Sequence, residues 1–505
     1  MKKIMTRLLS LVLLGAFIPS FVLAETWDLG KGDITVTATE TSQTVSQVNG
    51  ETKDDPDPVI TSSGKTENTV TINAETNATA NVTLENVNID TGTRGGAAIT
   101  TSGEGNVNIE LNGTNTVQSG NTHAGVEKKD NGTLTITDED KDGSLTATGG
   151  NYGAGIGGGY EGSGSNIAIE GGKVKAIGGT HGAGIGGGFG GSGSNIAIEG
   201  GKVEASSVGG GAGIGGGSLG SGSNITVSGG EVTAQGGVGG AGIGGGQGGS
   251  GSNITISDGK VTATGAGAGA GIGGGYEGSG KGITIEGGEV TAQGDAGGAG
   301  IGGGISGTGS DVTISGDAQV KVQGGTTGRD WHKGAAIGNG GTPTTDGNEV
   351  SPNTSDLKVG GFIQIYEPGK NINTDTPDRT IEGQKGDHSW NAGEVTAETV
   401  PESKAAAYWV SDSQGQSIPY QAQQKDGVLT VTVQADTASL RGTTGSLGQL
   451  EAQGITGIRF VTKRAQSDFT LSDLLTSGTG SFTLTHDGDN VTFTLESTDI
   501  SGILK

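Results

Sequence analysis

Three groups of residues in this 505-residue chain combine side-chain type and spacing in ways that suit chemistry. Asp138, Asp140 and Asp142 stand in an Asp-x-Asp-x-Asp-Gly run that ends at Gly143. Alternate carboxylates on one tight loop offer hard oxygen ligands, and the glycine permits the sharp turn of a Ca²⁺ loop. Leu145 follows at the apolar position expected of such loops, but Gly149 stands where a twelfth-position Glu would be. The expectation is a bound Ca²⁺, against the alternative of an acidic, solvated turn. Tyr160, Phe189 and Tyr276 form the second group, each directly after a repeated refrain, where other copies carry Ser218, Gln247 and Ile305. Flat aromatic faces there suit the C–H face of a pyranose; the plainer alternative is a partly buried corner filler. The third is Arg329-Asp330-Trp331-His332-Lys333, which interrupts the repeat. Arg329 and Trp331 would serve a ligand site, unless the segment only covers the end of the regular stack.

Other patterns fall away on inspection. Gly153-Ala154-Gly155-Ile156-Gly157-Gly158 fits Gly-x-Gly-x-x-Gly, yet it recurs in every repeat with no helix after it, so corner geometry explains it better than a dinucleotide. Gly190–Ile198 resembles a calcium nonapeptide, but the period is wrong and Asn replaces the carboxylate. Asn166, Asn195, Asn224 and Asn253 read instead as a ladder of stacked amides. The chain has no Cys, which removes disulfides and thiolate chemistry. The His residues are scattered at 123, 181, 332, 388 and 486, and the regular coils offer no paired carboxylates for glycoside cleavage. Thr-x-Thr ranks for ice binding are broken by Gln235 and Gln293.

The element that must position these residues is written six times. Ala-Gly-Ile-Gly-Gly-Gly occupies 154–159, 183–188, 212–217, 241–246, 270–275 and 299–304, always 29 residues apart. A period of this length marks a solenoid, in which each unit buries its apolar face against its neighbours. Each coil predicts three sides. Asn166-Ile167-Ala168-Ile169 alternates as a strand with Ile inward; Lys173-Val174-Lys175-Ala176 forms a second with Val and Ala inward; the refrain supplies the third through Ile156 and its equivalents. The fold class expected is all-β: a right-handed parallel β-helix of 29-residue coils, with a smaller, mainly β C-terminal domain. Lys202, Glu231, Lys260 and Glu289 fall at one outward position, so stacked neighbours alternate in sign.

Along the chain, Lys2, Lys3 and Arg7 precede the apolar run 8–18, and Val22-Leu23-Ala24 suits cleavage. Residues 1–24 read as a signal peptide, with the protein secreted or at a bacterial cell surface. The β-helix is expected over 25–395, its regular repeats over 152–304, with Trp27 to about Pro58 capping the open end. Residues 396–505 lose glycine and carry strands near Tyr408, Val428, Ile458, Phe482 and Val491, plus a short helical turn at Ser472–Leu475. Glycine at 108 of 505 would suggest disorder without the period. The net charge of −25 argues against nucleic acid and anionic membranes as partners, and no second long apolar segment suggests a membrane span.

The passage Leu111–Val117, Gly132–Thr137, Gly143–Gly150 and then the Gly-Ala-Gly-Ile-Gly-Gly-Gly refrains resembles a group of bacterial cell-surface proteins. These are carbohydrate-binding right-handed β-helix proteins, frequent in anaerobic Gram-positive bacteria, and the similarity covers about residues 27–340. It implies a non-catalytic β-helix that binds acidic or plant polysaccharide in some members and Ca²⁺ in some, the latter mapping onto Asp138–Asp142. The group's wall-sorting signal does not occur in this sequence, and Phe482–Gly488 is similar to small β modules appended to such proteins. The function expected is therefore a non-catalytic adhesin for polysaccharide, host glycan or a surface protein. The alternatives are a polysaccharide lyase or hydrolase on the same scaffold, and a stalk presenting the C-terminal domain.

Overall fold

Alternating Ile and Val in every coil can leave water only if successive coils stack, and the computed structural model shows that stack. It describes residues 24–382 and 408–504, apart from 49, 51, 130, 327–332, 343–344, 355–356 and 359–360 in the first stretch. In the second, 413–417, 419, 426, 445–449, 451–454, 479–480, 489 and 496–497 are also excepted. The expected signal peptide, but for Ala24, lies outside the described residues, as do Arg329 and Trp331. The chain falls into two compact units, Met1–Ala392 and Gly393–Lys505.

The first unit is a parallel β-solenoid with three sheets of 11, 11 and 13 strands among the described residues. Sheet 1 includes Gly164–Ile169 and its equivalents, sheet 2 includes Lys173–Gly178, and sheet 3 includes the two-residue strands Ile156–Gly157, Ile185–Gly186 and onward to Ile337–Gly338. Pairing is in register at every step: Ile167 with Ile196, Val174 with Val203, Ile156 with Ile185. These side chains are at most 1% exposed and join one continuous core. Each such Ile or Val contributes about 1.5–3 kcal/mol by burial, so the stack is held by its columns rather than by any single contact.

The glycines of the refrain are set by proximity. Gly157 sits at φ 133°, and a Cβ placed on it would lie 2.0 Å from the Gly186 carbonyl oxygen of the next coil. No side chain fits there, and no L-residue favours that backbone. The asparagine ladder serves a second local need. Asn166, Asn195, Asn224 and Asn253 adopt φ of 51–57°, where the strand pairing steps over them. Asn tolerates this conformation, and the displaced amides bond along the axis: Asn195 Nδ2 donates to Asn166 Oδ1 at 2.9 Å, and Asn224 to Asn195 at 3.1 Å. Lys202, Glu231, Lys260 and Glu289 do stack in one column, but Lys173 precedes Lys202 there, so the alternation begins one coil late. The Lys202–Glu231 pair, 3.6 Å apart with both side chains half exposed, adds little stability.

Both ends of the stack are closed. At the start, the antiparallel hairpin Ile34–Ala38 and Gln43–Gln47 extends sheet 3, while Thr26–Asp28 still forms a sheet 1 strand. The Trp27 indole donates to buried Asp55 at 2.8 Å. At the far end, Glu349 accepts the Ala336 and Ile337 amides at 2.7 and 3.1 Å, bonds that a further coil would otherwise supply. Burial pushes the Glu349 carboxyl above its ordinary pKa. Among the described residues the second unit has a five-stranded and a four-stranded sheet around one core containing Phe460, Phe469, Phe482 and Phe493. Its short helix, Leu471–Thr476, is capped by Thr470, whose Oγ1 accepts the Asp473 amide at 3.1 Å. His486 is fully buried against Phe460, and burial pulls its pKa down to about 4, so it is neutral at neutral pH.

The glycine argument makes a direct prediction. Gly186→Ala, whose new Cβ would lie 2.0 Å from the Gly215 carbonyl oxygen, is expected to cost at least about 3 kcal/mol in chemical denaturation. Gly190→Ala, with only Glu161 Cγ at 3.9 Å, is expected to cost about 1 kcal/mol. Equal losses at both positions would contradict the contact as the cause.

Candidate functional site

One corner of the solenoid carries the features that the core does not need. It lies where the residues just after each refrain meet the turn that leads into the refrain of the preceding coil. The Phe189 amide donates to the Tyr152 carbonyl at 2.9 Å, Ser218 to His181 at 2.7 Å, Gln247 to Gly210 at 2.8 Å and Tyr276 to Gly239 at 2.7 Å. Two side-chain columns therefore run side by side along the axis. Tyr160 and Phe189, from the first, stack at 5.7 Å and 15°. Tyr152 and His181, from the second, stack at 5.2 Å and 15°. Edge contacts at 5.3–5.9 Å join the two pairs into a four-ring cluster. Such pairs hold ring orientation as well as adding area. Tyr160 keeps 47% of its surface exposed, while the other three are partly buried.

The apolar exposure continues along the same edge. Val208 is 67% exposed, Leu219 63% and Val238 66%. Val208 follows the strand Lys202–Ser207 and Val238 ends the strand Glu231–Val238, both just before a refrain, and Leu219 follows Ser218 at the refrain corner. Four of the six large hydrophobic side chains exposed among the described residues thus fall on one edge. Clustering of that kind marks interaction surface rather than scattered exposure. Leu219 is also strained: its φ is 69°, at a position where two other coils place Gly190 and Gly248. A bulky residue in that region costs about 1–2 kcal/mol; the turn imposes the positive φ in every coil, Glu161, Glu277 and Ser306 holding 56–59° at the same position.

Polar groups lie between the apolar ones. Glu161 and Glu277 follow Tyr160 and Tyr276, and both tyrosine pKa values are raised, by the Glu161 charge beside Tyr160 and by the hydrogen bond between Tyr276 and Glu277. At the first end of the corner an open cavity of about 610 Å³ is lined by His123, Glu127, Lys129, Asn131, Tyr160 and Asn166, among others. Glu127 stands in register with Gly157, the first position where the refrain's glycine is absent. Its nearly buried carboxylate accepts the Ala124 amide at 3.0 Å, pairs with Lys129 Nζ at 2.7 Å and lies 2.8 Å from His123 Nδ1.

The sequence-expected residues fare unequally. Tyr160 and Phe189 come together as a stacked pair. Tyr276 shares their column but not their cluster, because Ser218 and Gln247 stand between. Asp138 turns one oxygen to the Gly143 amide at 3.2 Å and leaves the other buried without a partner, while Asp140 and Asp142 are exposed. Among the described residues no group of three or more His, Asp or Glu side chains is gathered to hold a metal ion. The acidic run leads into the Ser144–Thr148 strand. Tyr152, His181, Val208, Leu219, Val238 and Glu127 escaped the sequence reading. Tyr152 and His181 each stand two residues before a refrain, so the 29-residue spacing did carry a signal for them.

The beta helix repeat family model matches residues 141–160, 167–189, 196–218, 225–247, 254–276 and 283–305, in keeping with the β-solenoid coils seen there. Comparison with curated proteins and with solved structures gives no match.

The strain at Leu219 is testable. Leu219→Gly is expected to leave stability unchanged or raise it by up to about 1 kcal/mol in thermal or chemical unfolding, relief of φ strain offsetting the entropy of glycine. A loss of stability would mean that Leu219 packs as part of the scaffold.

Proposed function

We propose that this protein is a secreted or surface-associated, non-catalytic glycan-binding protein, and that the aromatic corner is its binding surface. The observation that carries the reading is the ring cluster of Tyr152, Tyr160, His181 and Phe189, held on a rigid corner with one tyrosine face open to solvent. Fixed rings present apolar faces to pyranose C–H groups at little entropic cost, and the neighbouring Glu161, Asn131 and Asn166 offer acceptors and donors for hydroxyls. A scaffold of register-locked coils keeps these groups in place before any ligand arrives.

A second reading, a lyase or hydrolase, draws on the His123–Glu127 pair that lines the cavity. Cleavage of glycosidic bonds by acid and base commonly takes two carboxyl groups. Among the described lining residues Glu127 is the one carboxylate, and its oxygens are spent on Lys129, His123 and the Ala124 amide. That arrangement favours a positioning role over proton transfer.

A glycan array on the mature chain tests the proposal, with the double variant Tyr160→Ala/Phe189→Ala beside the wild type. The expected result is binding to a glycan class that the variant loses by at least about tenfold; a parallel array in EGTA reads whether calcium takes part. Unchanged binding by the variant would remove the corner from the account. Release of reducing or unsaturated sugar from the bound glycan would replace binding by catalysis.

A further inference from the structure

Resting on the glycan-binding reading, we propose that the ligand is a neutral, extended, linear polysaccharide lying parallel to the solenoid axis, its successive units met by successive coils. The corner is a ridge with a fixed repeat rather than a single pocket. The Glu161 amide donates to the Phe189 carbonyl, Gly190 to Ser218, Leu219 to Gln247, Gly248 to Tyr276 and Glu277 to Ile305, at 2.7–2.9 Å. This unbroken ladder places Tyr160, Phe189, Leu219, Gln247 and Tyr276 on consecutive coils about 4.8 Å apart, a run of roughly 19 Å. Tyr160 and Leu219 are exposed along that run, with Val208 and Val238 flanking it.

Three observations choose the occupant. The backbone groups of the ladder are already spent between coils, so a peptide could not add as a strand; recognition must come from side chains. Those side chains interleave rings and aliphatic groups with Glu161, Gln247 and Glu277, a pattern that meets the apolar faces and equatorial hydroxyls of a sugar chain. The ridge's own charges at Glu161 and Glu277 are negative, on a chain of net charge −25, which repels a polyanion. A terminal sugar would need only the cavity end. The exposed residues beyond Phe189, and the strained Leu219, would then have no use.

Calorimetry on the full mature chain tests this, using cello-, xylo- and manno-oligosaccharides of two to six units, with oligogalacturonides of the same lengths as acidic counterparts. In one neutral series, affinity is expected to climb by at least about tenfold from two units to five and then level off. Tyr276→Ala and Leu219→Gly, both at the surface, are expected to weaken the six-unit ligand several-fold and leave the two-unit ligand unchanged. Equal affinity at two and six units, or preference for the oligogalacturonides, would overturn the axial neutral ligand while leaving glycan binding intact. Array binding confined to branched or terminal-sugar glycans would do the same. No binding of any glycan would overturn both readings.

Discussion

The structure depends on how closely one coil's backbone approaches the next. At Gly157, Gly186, Gly215, Gly244, Gly273 and Gly302 the backbone φ is 131–134°, and an added Cβ would meet the following coil's carbonyl at 2.0 Å. That contact lets a two-residue strand, Ile-Gly, close the third side of each coil. Hydrogen bonds at 2.8–3.1 Å along the refrain then fix the coil spacing. The price of so much glycine is conformational entropy, and the columns of buried Ile and Val offset it.

The same constraint explains why function sits at a corner. Sheet positions are locked by pairing and pleat, and inward positions belong to the core. The residues just after the refrain and just before it change in kind from coil to coil: Tyr160, Phe189, Ser218, Gln247, Tyr276 and Ile305 in one column, Tyr152, His181, Gly210 and Gly239 in the other. A rigid repeat thus supplies spacing, and a variable edge supplies chemistry. Where the refrain fails, at Glu127, the stack opens into a cavity and a carboxylate takes over a backbone bond to Ala124. Glu349 does similar work where the repeat ends.

The fold was legible because its period is exact in residue count and its burial pattern is local. Ile167, Val174 and Ile156 announced three sides, and the asparagine ladder could be read from Asn166, Asn195, Asn224 and Asn253 alone. Part of the second unit was also readable, including the capped turn at Leu471–Thr476, but the strands Gln421–Lys425, Thr437–Thr443 and Gln466–Thr470, polar and short of β-branched runs, were not. The site was only half legible. Tyr160 and Phe189 share a column in the sequence, so their stacking followed from the period. Tyr152 and His181 join them because the corner folds two segments together, some eight residues apart in each coil, and periodicity within one column does not show that. Leu219 becomes informative only with its φ of 69° and its exposure. Asp138, Asp140 and Asp142 were less legible: composition places three carboxylates on one loop, and only the backbone shows Asp138 turned to the Gly143 amide while Asp140 and Asp142 are exposed.

The most direct test of the central claim is hydroxyl-radical footprinting of the full chain with and without a bound polysaccharide, because it reads side-chain exposure residue by residue. The account predicts protection at Tyr160, Val208, Leu219, Val238 and Tyr276, with the outward faces of sheets 1 and 2 unchanged. Protection confined to those sheet faces, or to residues 408–504, would contradict it.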